Sequence, residues 1–194
     1  MDWSFIAQSL TAIFTAGLFF IAWRQLRKIN KTSSAEFLHK LKTDLLNDKS
    51  SLLISLIDIG CLQFITHKNE EESYFNINLD SIKNKLIKKE LKRKIDKVRE
   101  GSYIIESFEL DEFLLGHIEY LGILEEKKIL DIDMIYEEFS WIIQTCFENH
   151  DIKKYIKQQR EKDWDIYDKA ESLAKKCNRF GGEKASTIKR INKL

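Results

Sequence analysis

The 194-residue sequence contains no proline and only seven glycines. Nothing therefore interrupts long helices, because proline is the residue that removes a backbone donor and clashes with the preceding turn. Cysteine is scarce as well. Cys61, Cys146 and Cys177 are odd in number and lack Cys-x-x-Cys spacing, so no disulfide framework is predicted and reduced, packed thiols are expected. The recurrent enzyme signatures are missing: no Walker A loop, no Gly-x-Gly-x-x-Gly, no His-Glu-x-x-His and no Gly-x-Ser-x-Gly. His39, His67, His117 and His150 share no metal-ligand spacing, and His117 and Glu119 stand two apart on a predicted helix, hence on different faces. No histidine follows an arginine at the four-to-six-residue interval used by small helical bacterial RNases. These absences point away from an enzyme, and no cofactor or metal is expected.

What is present begins with a run of 21 residues, Trp3 to Trp23, without one charged side chain. As a helix rising 1.5 Å per residue it covers about 30 Å, the thickness of a bilayer's hydrocarbon core. Trp3 and Trp23 stand at its ends, and Arg24, Arg27, Lys28 and Lys31 crowd its C-terminal side. The positive-inside rule then places the N-terminus outside and the bulk of the chain in the cytoplasm, a single pass through the inner membrane. A cleaved signal peptide requires the basic residues before the apolar run, not after it. Within the run, Ser4, Gln8, Thr11 and Thr15 recur at helical spacing inside about 60° of arc. An amide in hydrocarbon costs several kcal/mol without a partner. The stripe, flanked by the small residues Ala12 and Ala16, therefore predicts contact with other helices or with water. The alternative is that the hydroxyls bond back to their own helix, leaving only Gln8 to explain. Further in, the stripe turns apolar at Leu18 and Ala22; copies arranged around a lumen would make a dry constriction there.

Net charge is +1, but it is segregated. Residues 81–99 hold nine Lys or Arg against Glu90 and Asp96, whereas residues 100–151 hold fourteen acids against Lys127 and Lys128. Lys88, Lys92 and Arg93 mark the basic helix as a candidate polyanion-binding face. The competing reading is a solvated face balanced by the acidic block, favoured by the absence of aromatics among the lysines.

The periodicity predicts an all-α protein: a transmembrane helix over 1–24, a juxtamembrane stalk helix over 25–48, a cytoplasmic helical bundle over 49–177 and a basic tail over 178–194. Within the bundle, Leu52 to Ile65 reads as a core helix, and Glu70 to Asn78 as a loop. Asp80 is expected to cap the basic helix, which Gly101 ends. Leu110 to Glu126 reads as a helix, Asp131 or Asp133 caps another, and a break falls near Asp163. Gly181 and Gly182 are expected to stop the last helix. No strand pair is apparent.

The stretch Leu114-Leu115-Gly116-His117-Ile118-Glu119-Tyr120-Leu121-Gly122-Ile123-Leu124, with Ile129-Leu130-Asp131-Ile132-Asp133 and Phe139 after it, resembles a broad family of small bacterial proteins of unknown function. Those have one N-terminal span, a basic juxtamembrane stretch and a helical cytoplasmic domain, and the layout covers nearly the whole chain. In layout and polar stripe the chain also resembles the membrane accessory proteins of type VI-B CRISPR systems. That resemblance implies a ring-shaped homo-oligomer forming a pore in the inner membrane, an antiviral-defence role, and a CRISPR effector or RNA as partner. The arginine–histidine motif sometimes credited to those proteins is absent. The alternatives are a membrane-tethered scaffold recruiting RNA or protein through residues 81–99, and a degenerate helical RNase.

Overall fold

A computed structural model describes residues 25, 32–66 and 73–191, with side chains as far as 184. The chain divides into two units, Met1–Lys40 and Leu41–Leu194. Residues 32–40 of the first and 41–45 of the second are helical. The predicted span, with Ser4, Gln8, Thr11, Thr15, Leu18, Ala12 and Ala16, lies outside the described residues. Among the described residues no helix is long and apolar enough to cross a membrane.

The second unit is mostly helical, with one small sheet. Asn47 opens α1 (Asp48–Ile59), its side chain accepting from the Ser50 amide at 3.0 Å. Gly60 ends α1 in the left-handed region at φ +72°, and the chain turns at once into β1 (Leu62–Thr66). β2 (Ser73–Ile77) runs antiparallel to it, Phe64 opposite Phe75. After a short 3-10 turn over Leu79–Ser81 comes α2 (Lys85–Arg99). β3 (Ile104–Glu106) completes the sheet against β2, in the order β1-β2-β3.

The chain is therefore not all-α. The apolar run Leu52 to Ile65 is a helix and a strand divided by Gly60, and the presumed loop holds β2, whose Ser73, Phe75 and Ile77 face inward in a two-residue alternation. Asn84, not Asp80, caps the basic helix; its side chain accepts from the Leu86 amide at 2.9 Å.

The remaining helices wrap the core. α3 (Ser107–Leu110), a π-turn over Asp111–Leu115 and α4 (Gly116–Glu126) follow one another without a break. Asp131 stands at the N-cap of α5 (Ile132–Glu148), whose Ile135, Phe139, Ile142, Ile143 and Cys146 are buried as their spacing predicts. Asn149 opens α6 (His150–Lys162) and also donates to the Ile57 carbonyl at the end of α1. α6 stops at Asp163, as predicted. The last helix, α7 (Asp168–Ile191), runs straight through Gly181 and Gly182. Neither glycine adopts a positive φ there, and Gly181 lies where the Tyr136 ring approaches. Sheet and helices meet at three rings: Phe64, Phe75 and Tyr155 of α6 have centroids 5.0 to 5.4 Å apart. The three cysteines are free and buried.

Candidate functional site

The basic helix α2 buries only Leu91 and Ile95 fully. At 100° per residue, Leu86, Lys89, Arg93 and Lys97 fall within about 80° on the opposite side. Leu86 is 79% exposed there, so an apolar side chain stands at the N-terminal end of the cationic face. Lys97 meets Asp48 only at 3.8 Å and both are well exposed, a surface pair of little strength.

Around the edge of that face the chain builds a cavity of about 370 Å³. Lys88 and Lys92, one helical turn apart, form one wall; Asn76, Asn78 and Tyr103 form the other. The sheet sets this second wall. The Ile77 amide donates to the Tyr103 carbonyl at 2.9 Å as β3 comes in beside β2. Lys88 donates to Asp80 at 2.7 Å and holds that carboxyl below its usual range, through the hydrogen bond first and the charge second. Lys92 is exposed and engages no carboxylate among the described residues. Of the three residues marked from the sequence, Lys88 and Lys92 share this cavity and Arg93 lies on the outward face. The aromatic that the basic stretch itself lacks is supplied by Tyr103, brought in from beyond the turn at Gly101. Cation, ring and amides together are what phosphates and splayed bases require.

A second polar group is partly buried. Asp111 begins the π-turn and accepts hydrogen bonds from two tyrosines, Tyr155 on α6 at 2.5 Å and Tyr167 at the corner before α7. π-turns inside helices gather at functional sites, but here both hydroxyls are buried and engaged. Burial raises the Asp111 pKa, with the two tyrosine bonds opposing it. Burial first, and then the Asp111 hydrogen bond, push both tyrosines far up. The cluster joins the π-turn, α6 and the α6–α7 corner, and it leaves no free nucleophile or base. Nearby, Ser50 donates to the Phe113 carbonyl of the π-turn at 2.8 Å.

The α6–α7 corner is tied from two sides. Glu119 of α4 accepts from the amides of Lys169 at 3.3 Å and Ala170 at 2.7 Å, capping α7 from a neighbouring helix. This contact requires α4 and α7 to approach closely at Gly122. Among the described residues no group of three His, Cys, Asp or Glu could hold a metal ion. No family model matches the chain, and neither does any curated protein or solved structure.

Proposed function

We propose that this is a single-span protein of the inner membrane that self-associates and whose cytoplasmic helical domain serves as a scaffold, recruiting single-stranded RNA through α2. The observation that carries this reading is the cavity in which Lys88 and Lys92 face Tyr103, Asn76 and Asn78. Lysines alone describe any solvated helix; lysines facing a ring and two amides offer a phosphate contact, a stacking surface and hydrogen bonds to base edges. The reading assigns no catalytic step. Fluorescence anisotropy of a labelled single-stranded RNA tests it. The double variant Lys92→Glu/Arg93→Glu is expected to lose about tenfold or more in affinity, and to flatten the dependence on salt by about 0.7 in log–log slope for each phosphate contact removed. Equal affinity and equal slope would refute it.

A second reading rests on the stripe Ser4, Gln8, Thr11 and Thr15 with Ala12, Ala16 and Leu18. Copies of the span would line a pore with these residues, and the resemblance to the CRISPR membrane accessory proteins supports a role in anti-phage defence. Gln8→Leu or Thr15→Leu is then expected to abolish dye leak from vesicles while the domain still binds RNA. Leak unchanged by either substitution excludes the pore.

A further inference from the structure

On the side of the molecule formed by α5, α6 and α7 lies another cavity, of about 380 Å³. Small-molecule sites typically measure about 300–1,000 Å³. Its floor is apolar, made by Phe147, Ile156 and Ala174, one from each helix. Its rim is cationic: Lys153, Lys157 and Arg160 follow one another along a single face of α6.

The arginine is fixed before any ligand arrives. Its Nε donates to the Ile166 carbonyl at 3.2 Å, Nη1 to Glu171 at 2.7 Å and Nη2 to Asp168 at 3.0 Å. A guanidinium has five N–H groups, so two remain for another acceptor. Glu171 also meets Lys175 at 2.7 Å; hydrogen bonds from Lys175 and then Arg160 hold its carboxyl below the usual range, so it stays ionised. One carboxylate thus faces four cations in the lining. Lys153 and Lys157 are exposed and pair with no carboxylate among the described residues.

We infer that this cavity binds an anionic amphiphile of the lysophosphatidate class. Its phosphate sits between Lys153, Lys157 and the two spare N–H groups of Arg160, and its apolar body lies on Phe147, Ile156 and Ala174. A fixed guanidinium beside two mobile ammonium groups suits a compact phosphate. The apolar floor has no counterpart in an inorganic anion. A nucleotide would find only Asn178 to read its base edge, and Glu171 would repel a polyphosphate. The inference is independent of the RNA-binding face on α2.

Native mass spectrometry of the full chain in a neutral maltoside detergent tests it, with lysophosphatidate, AMP and inorganic phosphate as separate probes. The expected result is one saturably bound lysophosphatidate per chain, weakened about tenfold or more by Lys157→Glu, a change at an exposed side chain, and unaltered by Lys92→Glu. Far-ultraviolet circular dichroism verifies that the Lys157→Glu chain is folded. Absence of a saturable adduct, or equal retention by the folded Lys157→Glu chain, overturns the site. AMP or inorganic phosphate binding as tightly as lysophosphatidate overturns the amphiphile.

Discussion

Adding one methyl group at two helical glycines should move stability in opposite directions. At Gly122 a Cβ would lie 2.4 Å from the Lys169 carbonyl oxygen and 2.6 Å from its carbon. These are backbone atoms of the facing helix, so no rotamer change relieves the overlap. Restoring ordinary contact requires α4 and α7 to part by roughly 1 Å, since such contacts begin near 3.4 Å. Overpacking of this kind costs about 1–3 kcal/mol, against about 1 kcal/mol recovered from alanine's better helix propensity. Separation also lengthens the 2.7 Å bond from the Ala170 amide to Glu119, which is worth about 1 kcal/mol as a cap. Gly122→Ala should therefore lose about 1–3 kcal/mol, or about 2–12 °C in Tm for a chain of this size. At Gly182 a Cβ meets nothing within 4 Å, and Gly182→Ala should gain about 0.5–1 kcal/mol. Thermal unfolding of the full chain, followed by circular dichroism, reads both. A neutral Gly122→Ala refutes the close helix crossing at Gly122, and a destabilising Gly182→Ala refutes the open helical setting of Gly182.

Two further outcomes follow from the same region. Glu119→Ala leaves the Lys169 and Ala170 amides without their acceptor and should cost about 0.5–2 kcal/mol in urea unfolding; a loss under about 0.3 kcal/mol would mean the cap is inert. Folding raises the Asp111 pKa above its ordinary 3.8, so the native state binds this proton more tightly than the unfolded chain does. The group's contribution is fully present below the ordinary value and declines as pH rises through the raised one. The stability of wild type minus Asp111→Asn should therefore fall as pH rises from below the ordinary 3.8 through the raised value, and a constant or rising difference contradicts the burial of the carboxylate.

Much of the helical part was legible in the sequence because helix signals are local. Asp131 stands before a run with 3.6-residue periodicity, the pattern breaks at Asp163, and each feature can be read within one or two turns. The sheet is different. Leu52 to Ile65 is apolar on both sides of Gly60, so periodicity alone does not separate helix from strand, and β1 forms because β2 is there to pair with it. In β2, Asn76 reads as loop, although Phe75 and Ile77 alternate inward around it. Gly181 and Gly182 remain helical because a glycine inside a helix costs only about 1 kcal/mol, and at Gly181 the Tyr136 ring packs where a side chain would stand. The candidate site was half legible. Lys88, Lys92 and Arg93 show as a charge run, but Tyr103 joins them only through the β2–β3 pairing. Asp111 finds Tyr155 and Tyr167 at separations of 44 and 56 residues, and no spacing rule reaches that far.

Flotation through a density gradient joins the proposed anchor and the proposed RNA-binding face in one readout. Vesicles carrying the full chain should lift labelled single-stranded RNA to the top, and vesicles carrying Lys92→Glu/Arg93→Glu should rise without it. If the wild-type chain floats while the RNA stays at the bottom, the scaffold is not an RNA scaffold.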